Sequence, residues 1–238
     1  MIILQIETAT SVCSVAVSRS GETIAKAELD EPNVHASKLT RLIEQVMFDS
    51  DLQLSDLNAV AVSKGPGSYT GLRIGVSTAK GLCYGLEVPL IAIDSLYSLA
   101  NGYITENTVP DNALIYPMID ARRLEVYTAV FGKSLDGGSG LDLMQATRAQ
   151  IIDSTYFDEV LSDTPIILFG DGADKFIDIF AAKVNVQIVP HFRQSASFLS
   201  KLAYEAYCDG QFEDVAYFEP FYLKDFVPLK AKAKSDRN

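Results

Sequence analysis

The order of its apolar segments predicts that this 238-residue chain has an α/β fold, with helices packed on a mixed β-sheet. Three observations predict it. Three strand-like segments open the chain, a clear amphipathic helix follows them, and two further strand–helix units come next. Alternating strands and helices are typical of sheets that contain parallel strands. The second half of the chain restarts in a similar but less complete order, so we expect two lobes.

The first three segments are strands by their apolar pattern. Residues 1–6 are largely apolar, and within residues 13–17 apolar side chains alternate with small or polar ones. A Ser20-Gly21 pair, which suits a hairpin turn, precedes a third alternating segment over residues 25–29. Period-two alternation with a turn signal between segments predicts adjacent antiparallel strands.

A helix over 35–49 is the clearest element, because its apolar residues recur three or four positions apart and share one face. The pattern continues with a strand over 57–63, a helix over 69–86, a strand over 88–93 and a helix near 95–104. This order matches half of an actin-like or sugar-kinase-like ATPase domain.

The second half contains fewer clear elements, and a polar segment with Pro110 precedes it. We therefore expect lobes over residues 1–106 and 107–238, the second ending in a basic tail. Its predicted elements are strands over 113–119 and 125–131, a glycine-rich loop over 132–140, a strand over 166–169, and helices near 173–182 and 195–208.

The helix over 69–86 is unusual because it contains four glycines, each of which costs about 1 kcal/mol relative to alanine. Gly71, Gly75 and Ala79 lie four residues apart and form a smooth stripe. Such a stripe lets another backbone approach closely. We predict a contact with a partner helix or with the chain's own first helix, and Ser68 as the N-cap. The alternative is a strand–turn–helix with tight internal packing.

The same segment is not a Walker phosphate loop. That motif needs glycine and lysine at fixed spacing, whereas Thr70 stands five residues after Gly65 and Leu72 follows Gly71. A looser anion site at the amides of residues 68–70 stays open.

A carboxylate and three hydroxyls lie in the turn between the first two strands, where actin-like ATPases hold phosphate and magnesium. They are candidate phosphate or nucleotide ligands: Glu7, Thr8, Thr10 and Ser11. The alternative is an ordinary connection whose hydroxyls bond to backbone groups. Farther along, Asp120, Arg122, Arg123 and Glu125 cluster at a strand–turn–strand and could pair with each other or with a partner.

The residue patterns of metal sites and hydrolases are missing. The chain has two histidines, and the fourth residue after His35 is Leu39, not a second histidine. His-Glu-x-x-His and Gly-x-Ser-x-Gly are both absent. We therefore predict no metal and no catalytic residue, and we predict that His35 is a surface or capping residue.

The composition excludes a free-standing nucleic-acid binder of the usual basic type, since the net charge is −11. The exception is the tail, which carries Lys224, Lys230, Lys232, Lys234 and Arg237. Three distant cysteines fit a reducing compartment. No signal peptide or apolar run of membrane length is apparent, so we expect a cytoplasmic protein without membrane attachment.

The chain resembles the TsaB (YeaZ-type, glycoprotease M22-like) family of the ASKHA superfamily. The resemblance covers nearly the whole chain and rests on residues 1–10, 35–39, 63–75, 119–127 and 220–223. It implies a two-lobed ASKHA fold and a part in forming N6-threonylcarbamoyladenosine (t6A) at position 37 of tRNAs that read codons starting with A. It also implies a non-catalytic scaffold that pairs with a TsaD-type catalytic subunit and helps to recruit a TsaE-type ATPase.

The resemblance further implies that tRNA is reached only through the complex, that the isolated chain can form a homodimer, and that no cofactor is tightly bound, with ATP or ADP at a complex interface. It places the interface on the first two helices, at His35, Leu39, Leu42, Ile43, Val46, Tyr69, Gly71, Leu72, Gly75, Ala79 and Leu82.

Two departures from related sequences count against a metal site and against a magnesium–nucleotide site. Relatives of the TsaD type hold a metal with a His-x3-His pair, of which only His35 is present, and the family usually has aspartate where this chain has Glu7. The alternatives are a small-molecule phosphotransferase of the ASKHA class and a peptidase that acts on a partner.

Overall fold

A computed structural model describes residues 1–134 and 140–224. It contains two five-stranded sheets with helices against them. The tail residues from 225 onward, and so most of the predicted basic tail, lie outside the described residues. In chain order the elements are β1 (Ile2–Glu7), β2 (Val12–Arg19), β3 (Glu22–Asp30), α1 (His35–Asp49), β4 (Ala59–Gly65), α2 (Tyr69–Leu86), β5 (Leu90–Asp94), α3 (Ser95–Glu106), β6 (Leu114–Asp120), β7 (Glu125–Lys133), β8 (Leu141–Ile151), β9 (Ile166–Phe169), α4 (Ile177–Phe180), β10 (Val186–Val189) and α5 (Ser200–Cys208).

The first sheet has the strand order β3-β2-β1-β4-β5. The first three strands form an antiparallel meander, and β4 and β5 add to it in parallel. The turn between β2 and β3 has positive φ at Ser20 and Gly21, as a tight hairpin needs. The predicted mixed sheet is therefore confirmed.

Helices cover both faces of this sheet. Successive strand side chains point to opposite faces, so Leu4 and Ile6 pack with α1 and α2 while Ile3 packs with α5. The helix α5 comes from the end of the chain, which returns to the first sheet after building the second. The predicted division into 1–106 and 107–238 stays a prediction.

The second sheet has the order β10-β9-β6-β7-β8. On one face α3 packs through Leu99 and Tyr103 against Ile115 and Phe169. On the other face, Phe176 and Phe180 of a short 3-10 helix and α4 form a separate core. The described part of the chain contains no helix long and apolar enough to cross a membrane.

Two strands are absent from the sequence-based assignment. The segment β8 is an edge strand of 11 residues, and β10 is an edge strand of 4. The predicted loop over 132–140 begins too early, because β7 extends to Lys133, and residues 135–139 lie outside the described residues. The predicted helix over 173–182 is a 3-10 turn followed by a single α-helical turn.

Candidate functional site

The helix α2 begins at a capped turn beside the end of β1. The Ser68 hydroxyl accepts a hydrogen bond from the Gly71 amide at 3.3 Å, which confirms the predicted N-cap. The Ser68 amide in turn donates to the Ala9 carbonyl at 2.6 Å. The start of α2 is therefore fixed to the turn between β1 and β2.

The glycines at the start of α2 make this close approach possible. A Cβ on Gly71 would lie 2.1 Å from the Thr8 carbonyl oxygen, and one on Gly75 would lie 2.2 Å from Thr8 Oγ1. A Cβ on Gly67 would meet the Ala9 carbonyl oxygen at 2.3 Å. The backbone that the smooth stripe admits is thus the chain's own β1–β2 turn, which supports the alternative of tight internal packing.

The two later glycines of α2 have a different environment. Apart from the adjacent residues and the local backbone of α2 itself, no atom of the described chain lies within 4 Å of a Cβ built on Gly81 or on Gly85. Two large side chains toward the ends of α1 and α2 are also exposed, since Phe48 is 83% and Tyr84 is 84% accessible to solvent. These four residues define what we call the open face.

The Glu7 carboxylate points into the protein. Its Oε1 accepts hydrogen bonds from the Ala9 amide at 2.6 Å and the Ser63 hydroxyl at 2.9 Å, and its Oε2 accepts one from Gln194 Nε2 at 2.8 Å. The residue is fully buried, and burial raises the pKa of Glu7 to about 7.

Only two of the four candidate nucleotide ligands reach open space. Thr8 is fully buried, and its hydroxyl faces Gly75. Thr10 and Ser11 line a cleft, where Ser11 Oγ donates to Asp30 Oδ1 at 2.7 Å. A magnesium–nucleotide complex of the actin type needs an outward-facing carboxylate at this turn. Glu7 does not fit that role because protein donors already occupy both of its oxygens.

The cleft has a volume of about 730 Å³ and lies between the two sheets. Its walls include the β1–β2 turn, the start of α2, the β6–β7 turn and the segment before residue 225. Two carboxylates stand on the second-sheet side. The Asp120 amide donates to Asp171 Oδ1 at 3.0 Å, and burial raises the pKa of Asp171 to about 6. Lys175 Nζ donates to Asp120 Oδ1 at 2.7 Å.

The hydroxyls and backbone amides at the β1–β2 turn can hold a small polar ligand. On the side of the second sheet, the cleft is lined by the carboxylates of Asp120 and Asp171. Among the residues that the structure describes, no group of three or more histidine, cysteine or acidic side chains could hold a metal ion.

His35 is buried, so the prediction that it is a surface or capping residue is wrong. Its side chain lies where α1 meets β2 and lines the cleft, with Nε2 lying 3.3 Å from the Val12 carbonyl oxygen. Burial lowers the pKa of His35, which favours the neutral ring. The N-cap of α1 is instead Val34, which has no side-chain capping bond.

The predicted interface residues divide by burial. Leu42, Tyr69 and Leu82 are half-buried and can still meet a partner. The others are buried in the chain's own interior: His35, Leu39, Ile43, Val46, Gly71, Leu72, Gly75 and Ala79. Sequence reasoning missed the open face. Two features of the sequence could have indicated it: a phenylalanine, Phe48, next to a charged residue, and two glycines of α2 that lie outside the Gly71–Gly75 stripe. The interface itself stays a prediction.

Comparison with known proteins identifies the family. A sequence model of the TsaD family, tRNA N6-adenosine threonylcarbamoyltransferase, matches residues 32–210. The chain is 30% identical to the tRNA threonylcarbamoyladenosine biosynthesis protein TsaB of Escherichia coli, over 97% of both chains. It is 37% identical to the TsaB protein of Bacillus subtilis over 131 residues, which are 55% of each chain.

A solved structure supports the fold. The protein titled YeaZ from Pseudomonas aeruginosa superposes with a TM-score of 0.75 at 23% identity, covering 93% of this chain and 99% of that one. Together with the two mixed sheets and their helices, this likeness confirms the predicted ASKHA fold. The chain therefore belongs to the TsaB (YeaZ-type) family, within the wider family that the TsaD model describes.

Proposed function

We propose that the chain is a non-catalytic subunit of the machinery that forms t6A on tRNA, and that it pairs with a TsaD-type catalytic subunit. The names of its relatives support the pathway, because the Escherichia coli protein that matches along its whole length is a tRNA threonylcarbamoyladenosine biosynthesis protein. In this proposal the chain also helps to recruit a TsaE-type ATPase and works in the cytoplasm.

The observation that carries the pairing is the open face of α1 and α2. Two aromatic side chains, Phe48 on α1 and Tyr84 on α2, are more than four-fifths exposed, and Tyr84 stands between Gly81 and Gly85 on α2. Aromatic residues are enriched among the residues that dominate protein–protein contacts, and patches of exposed apolar side chains often mark such contacts. Helical glycines with open space beside them allow a second helix to approach closely. A homodimer of the isolated chain would use the same face.

An accessory role also agrees with the cleft. Glu7 is hydrogen-bonded inside the protein, so its carboxylate at the β1–β2 turn is not free to hold magnesium as a phosphotransferase of this fold class would require. We propose that the chain alone binds no nucleotide tightly and that ATP or ADP binds where subunits meet.

Light scattering coupled to size-exclusion chromatography tests the pairing. The chain is mixed with the TsaD-type protein of the same organism, with and without ATP and the TsaE-type protein. We expect a one-to-one complex that Gly81→Arg or Tyr84→Asp weakens by roughly 10- to 100-fold, since overpacking a close contact costs about 1–3 kcal/mol.

The matched control is Val184→Arg, because Val184 is fully exposed and lies before β10 on the second sheet. It should pair as the wild type does. A complex that survives both substitutions on the open face would exclude that face. Gly75→Arg is unsuitable as a test because the added side chain would collide with Thr8 inside the protein.

A further inference from the structure

Basic and aromatic side chains from three elements meet at the mouth of the cleft. The start of α2, the β6–β7 turn and the segment before residue 225 contribute what we call the mouth patch. Tyr69, Arg122, Tyr222 and Lys224 line the cleft, Arg73 lies beside Tyr69, and the exposed Arg123 follows Arg122 in the same turn. We propose that the mouth patch binds the sugar–phosphate backbone of an RNA. This inference rests on the proposed function, in which that RNA is the tRNA being modified.

On the α2 side, an arginine stands beside two tyrosines whose rings meet at an angle of 37°. The ring centres of Tyr69 and Tyr222 are 4.7 Å apart, and the Arg73 guanidinium lies 5.4 Å from the centre of the Tyr69 ring. Arg73 Nη1 also donates to Tyr69 Oη at 3.3 Å. Aromatic rings beside a guanidinium are the groups on which unpaired bases and riboses stack, while the cation binds phosphate.

On the opposite side, the β6–β7 turn presents two exposed arginines. Arg122 and Arg123 have φ of 73° and 54°, a conformation that tight hairpin turns normally fill with asparagine and glycine. The turn itself therefore does not explain why arginines stand there. In the part of the chain that the structure describes, neither guanidinium forms an ion pair.

The fourth cation extends the patch toward the end of the chain. Lys224 bonds to the Glu125 carboxylate and lies 5.9 Å from the centre of the Tyr127 ring. On a protein with a net charge of −11, the mouth patch contributes four basic side chains, of which Lys224 is paired with Glu125.

Two carboxylates of the second sheet limit where phosphate can bind. Asp120 and Asp171 also line the cleft and would repel an anion, so phosphate is expected at the arginines and not against these carboxylates. An acidic segment of a partner protein would satisfy the arginines, but it would make no use of the two adjacent tyrosines. An RNA backbone with adjacent unpaired bases satisfies both.

The test is tRNA binding by the preformed complex of this chain with the TsaD-type subunit. The probe is a fluorescent tRNA transcript with adenosine at position 37, and its anisotropy is followed from about 50 to 200 mM salt. Arg122→Glu combined with Arg123→Glu should weaken binding about tenfold. It should also reduce the slope of log affinity against log salt by about 2, since each phosphate contact contributes slightly less than 1.

Two controls isolate the effect. Arg19→Glu combined with Lys201→Glu changes the net charge equally, but Arg19 lies at the far end of β2 and Lys201 on α5, so binding should hold. Arg122→Lys combined with Arg123→Lys keeps the charge and should retain most of the affinity. If tRNA binding is lost only in the Arg122→Glu, Arg123→Glu variant, the loss identifies the mouth patch and does not reflect misfolding or total charge.

Unchanged tRNA binding by the glutamate variant within an intact complex would overturn the inference and leave the proposed function standing. Weaker pairing with the TsaD-type subunit, without any change in tRNA binding, would make the patch a protein contact and also overturn it. If no complex forms at all, the proposed function fails. The same variants of the chain alone, at low salt, then decide whether the patch binds RNA.

Discussion

The two ends of α2 carry the same sequence signal for different reasons. At the start, Gly71 and Gly75 lie against Thr8 of the chain's own β1–β2 turn, where a Cβ would come within 2.2 Å of an oxygen. Toward the end, Gly81 and Gly85 have no atom within 4 Å of such a Cβ in the described chain beyond their neighbours and the local backbone of α2. Glycine in a helix is therefore evidence of a close approach only where something approaches.

This difference separates folding from pairing within one helix. The first pair is part of the interior and supports the geometry around Glu7 and Thr8. The second pair, with Phe48 and Tyr84, faces outward. Substitutions at the first pair should act on stability, and substitutions at the second should act on the partner.

The largest expected effect is at Gly71. The side chain of Gly71→Val would place Cβ 2.1 Å from the Thr8 carbonyl oxygen, a backbone atom that cannot move without shifting β1. We expect the free energy of unfolding to fall by at least about 3 kcal/mol, the upper range for overpacked sites. Urea unfolding followed by circular dichroism measures it.

The matched control is Gly81→Val in the same helix. It has open space and should change the free energy of unfolding by well under about 1 kcal/mol. Similar losses for the two variants would mean that the ends of α2 do not differ as described.

Local pattern is enough to predict elements whose buried and exposed sides follow a regular period. The sequence predicts the bounds of α1 and α2 correctly because apolar residues repeat at the helical period, and a serine cap marks the start of α2. The strand β8 was missed because residues 142–146 are all exposed, so no alternation appears in an edge strand.

The site was harder to predict because long-range contacts orient its groups. Glu7 turns inward toward Gln194, which is 187 residues away in sequence, and no local pattern reveals that partner. Thr10 and Ser11, three and four residues later, line the cleft as expected. His35 was misplaced for the same reason, since the carbonyl of Val12 beside it belongs to another element.

The buried side of α2 can be examined further through the pH dependence of stability. The folded pKa of Glu7 is about 7 and its unfolded value is 4.5. Between these values the folded protein binds more protons, so stability that is fully present below about pH 4.5 is lost as pH rises through 7. The loss by pH 8 should be about 3 kcal/mol.

Glu7→Gln removes this ionisation. The unfolding free energy of the wild type, minus that of the variant, should fall between pH 4.5 and 8. The contribution of Asp171 is common to both proteins and cancels in the difference. A difference that stays constant with pH would show that Glu7 does not titrate in this range.

The smallest effect gives the sharpest test, because the two ends of α2 should respond with opposite signs to the same change. Gly81→Ala adds one methyl group to an open helix position and should stabilise the fold by about 0.8–1 kcal/mol through helix propensity. Gly75→Ala adds the same group 2.2 Å from Thr8 Oγ1 and should destabilise it. Thermal unfolding of both variants gives the signs directly.

If the open face meets a TsaD-type helix closely, Gly81→Ala should also weaken pairing while raising stability. An effect on pairing without a loss of stability cannot come from misfolding, whereas equal pairing by Gly81→Ala and the wild type would place the close contact elsewhere on the open face.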